Sequence, residues 1–204
     1  MEVGAFYLPY VGRKEDILQG MAGKRTDLYK GMLKELGEQF ALMDENGYYG
    51  VGFTEHHFHI EGEEVSTNPV LLDLYFGMQT QHMKFGQLGN VLPSQNPINL
   101  AENIAMVSQM LDGRVFAGFA RGYQPRWVNV IGQHVGLSDP ASGPEYEDLK
   151  RELFEEHFDI ILKAWSNDTF RHEGTHWPIP TKDIHWAAAA VAHQYGQDLD
   201  ENAH

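Results

Sequence analysis

The sequence predicts an α/β fold built on a parallel sheet, and three observations support this prediction. Short apolar segments of strand length alternate with longer segments in which apolar residues recur every three or four positions. Two of the longer segments begin with Asn-Pro, in which asparagine caps a helix and proline occupies its first position. Long loops lie on one side of the units, whereas the turns on the other side are short. This arrangement is typical of right-handed βαβ units.

The first βα unit occupies the N-terminal region. Residues 3–8 form an apolar run that ends at Pro9, which predicts the first strand. Residues 10–25 are Gly-rich and charged without a clear period, so we expect a long loop there. Apolar residues then fall at helical spacing from Thr26 until Asn46-Gly47, a pair typical of helix ends. This segment is the first predicted helix.

The next two units repeat this order. Residues 48–56 predict the second strand, and Asn68-Pro69 starts the helix that follows it. Residues 83–92 predict the third strand, and the helix after it begins at Asn96-Pro97. That helix keeps its apolar spacing until Asp112-Gly113, which predicts its end.

The fourth strand is followed by a long loop, a helix and a tail. Residues 115–120 predict the strand, Pro144 opens a strong helix that runs to about Trp165, and residues 166–204 form a tail of uncertain structure. A closed (β/α)8 barrel needs eight units in about 250 residues, whereas this chain offers four clear ones. We therefore expect residues 1–204 to form a single domain, either a smaller open sheet or the N-terminal part of a barrel.

The composition excludes several classes of partner. The 204 residues include 15 basic and 29 acidic side chains, a net charge of −14 that would repel a nucleic acid or an anionic membrane. The absence of cysteine excludes disulfides, thiolate metal sites and a cysteine nucleophile. The N-terminus lacks the features of a signal peptide, and no apolar run is long enough to span a membrane. We expect a cytoplasmic protein.

The end of the second predicted strand carries Glu55, His56 and His57. In a parallel α/β protein, ligands bind at the carboxyl ends of the strands. Because strand side chains alternate between faces, only one of the two histidines should point into a site. That imidazole is either a general acid or base, or one of a pair satisfied by local hydrogen bonds.

A metal site would use the same residue types. His56, His57, His59 and Glu55 are all ligands that zinc accepts. Adjacent positions at a strand end have poor geometry for chelation, and the other histidines are scattered along the chain. We therefore predict that no metal is bound.

Two further features lie at the ends of neighbouring strands. Arg121 follows the fourth strand and could hold a phosphate or carboxylate, although for Arg121 alone a surface ion pair is the simpler interpretation. Gly89-Asn90, near the end of the third strand, either lets a flat ligand approach the backbone or reflects simple packing. The motifs of Rossmann, P-loop and α/β-hydrolase proteins are absent.

Three segments together resemble, in order and spacing, the bacterial luciferase-like flavin monooxygenases. They are residues 54–58 (TEHHF), 90–97 (NVLPSQNP) and 109–122 (QMLDGRVFAGFARG). The resemblance covers roughly residues 1–165. It implies a (β/α)8 TIM-barrel type of fold, of which this chain is the N-terminal half, with about four βα units plus an extra helical tail. In this interpretation the chain is truncated.

The resemblance also implies an activity. Such an enzyme is an FMN-dependent monooxygenase that uses reduced FMN and O2 to oxidise a small organic substrate through a flavin peroxide. A separate reductase supplies the reduced FMN, and the enzyme is often a homodimer. Luciferase has a cysteine where this chain has Ala120, so light emission is not implied.

The family's functional residues can be placed on this sequence. The catalytic histidine falls on His56, with Glu55 and His57 beside it in support, and the arginine that helps to hold the FMN phosphate falls on Arg121. The flavin-facing backbone, which in the family often has a non-proline cis peptide bond, falls on Leu88, Gly89 and Asn90.

Flavin oxygenation needs an apolar enclosure that excludes water. Four aromatic residues could contribute to it: Phe6, Phe53, Phe58 and Trp127. The family's later strands, which supply most of the phosphate contacts and the covering loop, have no counterpart here. Two alternatives therefore remain: a non-catalytic flavin-binding or structural half-barrel remnant that dimerises, and a metal-dependent hydrolase on a barrel.

Overall fold

The computed structural model describes residues 1–137 and 143–180. The strands are β1 (Gly4–Tyr7), β2 (Gly50–Phe53), β3 (Lys84–Gln87), β4 (Asn90–Val91), β5 (Val115–Phe116), β6 (Phe119–Ala120), β7 (His172–Glu173) and β8 (Pro178–Ile179). The α-helices are α1 (Lys14–Leu18), α2 (Thr26–Glu45), α3 (Pro69–Gly77), α4 (Pro97–Met110), α5 (Pro125–Ile131) and α6 (Pro144–Ser166).

The central sheet of the described chain is parallel. It has four strands in the order β1, β2, β3 and β5. Gly4 pairs with Gly50, and Gly50 in turn pairs with Lys84. β4 pairs in parallel with β6, and β7 pairs antiparallel with β8. Parallel neighbours joined by helices in chain order are the arrangement of a (β/α)8 barrel, so the predicted α/β class is confirmed.

The predicted third and fourth strands, residues 83–92 and 115–120, are each broken in the middle, so the expected continuous strands are wrong. The first break is at the Leu88-Gly89 peptide bond, which is cis, and the second is at Ala117 and Gly118. The two breaks pack together: a Cβ on Gly89 would lie 2.8 Å from the backbone of Gly118. The Asn90 N–H donates to the Gly118 carbonyl at 2.9 Å, so hydrogen bonding continues past the breaks.

The Asn-Pro pairs start helices as predicted. The Asn68 side chain accepts a hydrogen bond from the Leu71 N–H, which caps α3. The Asn96 side chain accepts from the N–H groups of Ile98 and Asn99, which caps α4. In both cases the capping oxygen satisfies backbone donors that have no partner within the helix.

Two predicted loops contain helices. Residues 10–25 include α1 and a 3-10 turn at Ala22–Lys24, and the segment after the fourth strand includes α5 and a 3-10 turn at Gly132–Val135. Asp16 stabilises the start of α1 by accepting from the Arg13 N–H at 3.0 Å. These helices are too short to show a clear apolar period, which explains why the sequence pattern did not indicate them.

Aromatic side chains fill the core between the sheet and helices α2 and α3. Phe40 lies edge-to-face against Phe76, Phe53 and Phe85, with ring centroids 4.8 to 5.8 Å apart. All four rings are fully buried. Glycines occupy positions on the opposite face of the strands, where the Leu88 side chain packs over Gly52 and the Phe116 side chain packs over Gly86.

Part of the tail packs against α6. The Glu156 carboxylate accepts hydrogen bonds from the N–H groups of His176 and Trp177, which hold the β7–β8 hairpin. Residues 181–204 of the predicted tail lie outside the described residues. Among the helices of residues 1–137 and 143–180, none is both long and apolar enough to cross a membrane.

Candidate active site

A pocket of about 310 Å³ lies at the carboxyl ends of the strands, where the sequence pattern predicted the site. Apolar side chains make most of its walls; they are Phe6, Leu8, Leu88, Val91, Ala120 and Trp127. Backbone is exposed to the pocket at Gly89 and Gly122. Its polar side chains come mainly from one region of the chain and are Thr54, Glu55, His56, Glu64 and Tyr123.

Glu55 joins three segments around the pocket. Its side chain is fully buried and one oxygen accepts from the Val91 N–H at 2.7 Å. The other oxygen accepts from the Gln95 amide at 2.6 Å and from the His57 Nε2 at 2.9 Å. A buried carboxylate with this many donors is stabilised in place. Glu55 therefore fixes the end of β2 against β4 and the turn that follows it.

His56 is the imidazole that faces the pocket. Only 5% of the residue is exposed; its Nδ1 hydrogen-bonds with the Thr54 hydroxyl at 3.1 Å, and its backbone N–H donates to the Ser66 carbonyl at 2.8 Å. Burial lowers the pKa of His56, an effect that the nearby Glu64 carboxylate opposes. An imidazole aimed into an apolar pocket can accept or deliver one proton.

His57 points away from the pocket, so only one of the two histidines faces the site, as the sequence analysis predicts. Its Nε2 donates to Glu55, and its ring lies 4.8 Å from the ring of Trp127. His57 therefore supports Glu55 and the wall of the pocket, and does not line the cavity itself.

The Leu88-Gly89 bond is cis, at the position where the resemblance implies such a bond. Leu88 is about half exposed and, with Gly89, forms part of the wall of the pocket. Asn90 is buried: it pairs with Phe119 in the β4–β6 ladder, and its side chain does not line the pocket. Of the three residues, Leu88 and Gly89 thus face the cavity and Asn90 supports them from behind.

A buried polar chain lies behind this wall. The Asn90 amide donates to the Gln87 side-chain oxygen at 3.0 Å, and the Gln87 amide donates to Asp73 on α3. Asp73 is completely buried, and burial raises its pKa to about 8. No pattern in the sequence indicated this group, since Asp73 lies within an apolar helix.

Arg121 is exposed and is not among the lining residues, although its neighbours Ala120 and Gly122 are. A second pocket of about 160 Å³ adjoins the first, shares Gly122 and Tyr123 with it, and contains Lys150. The Lys150 ammonium donates to the Gly122 carbonyl at 3.2 Å and pairs with Glu147 at 2.7 Å. The hydrogen bond from Lys150 and the charge of Arg121 both lower the pKa of Glu147. Two cations therefore lie beside one end of the main pocket.

Two of the four expected aromatic residues line the pocket, namely Phe6 and Trp127. The other two expectations are wrong. Phe53 lies in the core against α2 and α3, because it points to the opposite face of β2 from the glycines. Phe58 is 48% exposed and has a positive φ of 63°, so the chain turns there and carries the ring away from the cavity.

Glu64 was missed by the sequence analysis. It lies in an acidic loop beside Glu61 and Glu63, and nothing in its spacing distinguishes it from them. Lys150 was missed for a similar reason, since in the sequence it resembles the other charged residues of a surface helix. Contacts over 28 or more residues place both groups at the site.

Within the described residues, no group of three or more metal-ligating side chains is arranged to hold a metal ion. The His57 Nε2 is bonded to Glu55 and the His59 Nε2 to Gln124, so these two nitrogens are already engaged by other side chains. The alternative of a metal-dependent hydrolase therefore has no donor set in this part of the chain.

Comparisons with known proteins agree with this architecture. The family model described as luciferase-like monooxygenase matches residues 18–194. The chain belongs to the luciferase-like monooxygenase family. The chain is 35% identical to the 3,6-diketocamphane 1,6-monooxygenase of Pseudomonas putida over 111 residues. This match covers 54% of this chain and 29% of that protein. The oxygenase component of a flavin-dependent trigonelline monooxygenase from Acinetobacter baylyi is 26% identical, over 74% of this chain and 38% of that protein.

Solved structures show the same fold. The oxygenating constituent of the Pseudomonas putida 3,6-diketocamphane monooxygenase, solved in complex with FMN, superposes with a TM-score of 0.65 at 27% identity over 87% of this chain and 42% of that one. The monooxygenase RslO1 from Streptomyces bottropensis gives a TM-score of 0.67 at 22% identity, which supports the fold alone. The predicted TIM-barrel type of fold is confirmed. The chain spans well under half the length of the two curated relatives.

Proposed function

We propose that this chain forms the flavin-binding part of an FMN-dependent monooxygenase that uses reduced FMN and O2 to oxidise a small organic substrate. The observation that carries the proposal is the 310 Å³ pocket in which the backbone at Gly89 and Gly122 and the imidazole of His56 share one cavity. When bound, reduced FMN would supply the electrons that activate O2 for transfer of an oxygen atom to the substrate.

The lining of the pocket fits a flat, largely apolar ring system. Phe6, Leu88 and Trp127 offer apolar surface, and the two glycines let a ring lie against backbone. These residues would bind and orient the ring and exclude water from it. His56 would hold or deliver a proton at Nε2, and Glu55 would keep the strand end that carries His56 in position.

The adjoining cations fit the phosphate of FMN. We place the phosphate near Arg121, with Lys150 as a second positive charge beside it. An arginine can form two parallel hydrogen bonds with a phosphate, and each charged hydrogen bond contributes about 1.5 to 3 kcal/mol. The Arg121→Gln variant should therefore bind FMN at least about tenfold more weakly.

Riboflavin, which lacks the phosphate, provides the test. Fluorescence titrations with FMN and with riboflavin should show tighter binding of FMN to the unaltered chain, and Arg121→Gln should remove most of this difference. Arg151→Gln is the matched control, because Arg151 pairs with Asp148 on the exposed side of α6. The absence of binding for both flavins at micromolar protein, with oxidised and with reduced flavin, would refute the proposal.

Catalysis is tested separately from binding. Reduced FMN reacts with O2 spontaneously, so the measured quantity is the oxygen consumption that the protein adds above this background. This added rate should depend on the pocket histidine His56, so His56→Ala should lose it while the exposed control His82→Ala retains it. The trigonelline relative is the oxygenase component of its system, and in the cell we expect a separate reductase to supply reduced FMN to this chain too. Equal rates for the two variants would argue for the non-catalytic alternative.

The resemblance to the luciferase-like monooxygenases implies association with a second copy of the chain. We therefore propose a homodimer. Light scattering should give twice the mass of the chain, and this mass should persist on dilution to micromolar concentration; a monomer would refute this part of the proposal.

A further inference from the structure

A cluster of polar groups on the far side of His56 has no role in the proposal so far. The Glu64 carboxylate lies 3.6 Å from the His56 Nε2 and 3.7 Å from the His59 Nδ1. Gln124, from the segment before α5, donates its amide to the same Glu64 oxygen at 3.4 Å. Glu64 thus lies between two imidazoles at the edge of the pocket that it also lines.

The backbone holds Glu64 in this position. The Val65 N–H donates to the Pro9 carbonyl at 2.9 Å, and the Ser66 carbonyl accepts from the His56 N–H at 2.8 Å. Glu64 itself has a φ of 48°, a left-handed conformation that is uncommon for a residue other than glycine. Such a conformation persists only where the surrounding contacts impose it.

The hydrogen bonds of Gln124 determine where protons lie. Its side-chain oxygen accepts from the Trp127 Nε1 at 2.9 Å, and an indole can only donate, so the atom that also contacts the His59 Nε2 at 3.0 Å is an acceptor. The His59 Nε2 therefore carries a proton. A neutral His59 would then turn the lone pair of Nδ1 towards the Glu64 carboxylate.

The His59 Nδ1 is buried and has no hydrogen-bond partner among the described side chains. A lone pair facing a carboxylate oxygen at 3.7 Å is unfavourable, whereas a proton at that nitrogen would be attracted to it. The geometry therefore requires a proton on one of the two nitrogens that face Glu64.

We propose that Glu64 is a positioning residue for His56, and that its carboxylate keeps one proton shared between the His56 Nε2 and the His59 Nδ1. This inference rests on the proposed function for its consequence. When an oxygen atom in the pocket gains negative charge, the His56 Nε2–H bond breaks and an O–H bond forms. Where the shared proton lies on the His59 Nδ1, it first passes by way of the Glu64 carboxylate to the His56 Nε2. After the transfer the His56 Nδ1, beside the Thr54 hydroxyl, and the His59 Nε2, beside Gln124, each keep a proton. Both imidazoles are then neutral, and the cluster has one proton and one positive charge fewer.

Other charged groups act on the same cluster. Glu55 and His57 adjoin His56 on its own strand end, and Glu61 approaches the His59 Nδ1 at 3.9 Å while paired with Arg126. The pKa of the Tyr10 phenol is raised by burial, and the charges of Glu64 and Glu63 raise it further. Of these acidic groups, Glu64 alone contacts both imidazoles among the described residues.

Imidazole NMR of the whole chain without flavin tests the inference. Glu64→Gln should lower the pKa of His56 by about 1 to 3 units, the effect of removing an opposite charge within contact distance. Glu63→Gln removes the same charge from the exposed neighbour and should leave the His56 titration unchanged. A variant that merely loosened the loop would admit water and raise the pKa of His56, because burial is what lowers it. An unchanged or raised pKa in Glu64→Gln would overturn the proposal.

A second measurement needs no variant. Long-range proton–nitrogen spectra of the unaltered chain near neutral pH should show a proton on the His56 Nε2 or on the His59 Nδ1, and finding both nitrogens bare would overturn the proposal. Neither experiment contains flavin, so a negative result would overturn the role of Glu64 and would not affect the flavin titrations described above. A chain that bound no FMN but showed the His56 shift would refute the proposed function and support the role of Glu64 in setting the protonation of His56.

Discussion

Asp73 should make the stability of the protein depend on pH in a direction unusual for a carboxylate. Its side chain is fully buried, it accepts a hydrogen bond from Gln87, and burial raises its pKa from 3.8 to about 8. Between these two values the folded protein binds a proton at Asp73 that the unfolded chain has released. The contribution of Asp73 to the free energy of unfolding is therefore greatest below about pH 4, and it falls as pH rises towards 8.

The magnitude follows from the difference between the two pKa values. Each unit of difference corresponds to about 1.4 kcal/mol, so the contribution of Asp73 to the free energy of unfolding should fall by roughly 6 kcal/mol in total between pH 4 and 8. Asp73→Asn keeps an oxygen that can accept from Gln87 and cannot ionise. Relative to the unaltered chain, this variant should therefore gain stability by about 1.4 kcal/mol for each unit of rising pH in this range.

Urea unfolding at several pH values between 5 and 8 measures this slope. The difference in slope between Asp73→Asn and the unaltered chain is the diagnostic quantity, since the buried amide that the substitution introduces would also change stability by a constant amount. Asp112→Asn makes the same change in an exposed turn and should leave the slope as it is. Parallel curves for Asp73→Asn and the unaltered chain would refute the assignment of a protonated Asp73.

Two further substitutions test the packing around the pocket. Glu55→Ala should lower the free energy of unfolding by about 3 kcal/mol, because the buried N–H of Val91 and the amide of Gln95 lose their acceptor. If urea denaturation shows a loss below about 1 kcal/mol, Glu55 does not fix the end of β2 as described. Gly89→Ala should lower both the unfolding midpoint and the affinity for FMN, since its Cβ would meet neighbouring backbone at 2.8 Å. Gly31→Ala, at an open helical position, is the control and should gain about 1 kcal/mol; similar behaviour of the two alanine variants would contradict the close approach at Gly89.

Local signals made much of the fold predictable. The Asn-Pro pairs at Asn68 and Asn96 act within four residues of chain, and the structure shows the capping hydrogen bonds that they predict. The strand breaks at Leu88-Gly89 and at Gly118 were not predictable from pattern, because each break depends on close packing against the other. Apolar periodicity reports which face of an element is buried and carries no information about such an approach between two distant segments.

The same division applies to the site. The alternation of side chains predicted that one of the two histidines would face the site, and the family resemblance selected His56, which lines the pocket. The alternation could not show that Glu64 and Gln124 lie around His56, or that Asp73 lies behind the end of β3, because each of these groups comes from a different element. Charged residues in loops and single acids in helices look alike in sequence whether they are solvated or buried, and only the tertiary contacts distinguish them.

The pocket combines two environments that a flavin oxygenase needs to keep apart. Leu88, Phe6 and Trp127 offer a ring system apolar contact, where water would be excluded. The polar groups enter from the region around His56, and Glu55 fixes that region by two hydrogen bonds to residues 91 and 95 and one to the nearby His57. Because the Glu55 carboxylate is engaged by these donors while the Glu64 carboxylate faces the two imidazoles, one acidic group can set geometry while the other sets protonation. Changes at Glu55 should therefore appear in stability, and changes at Glu64 in the titration of His56.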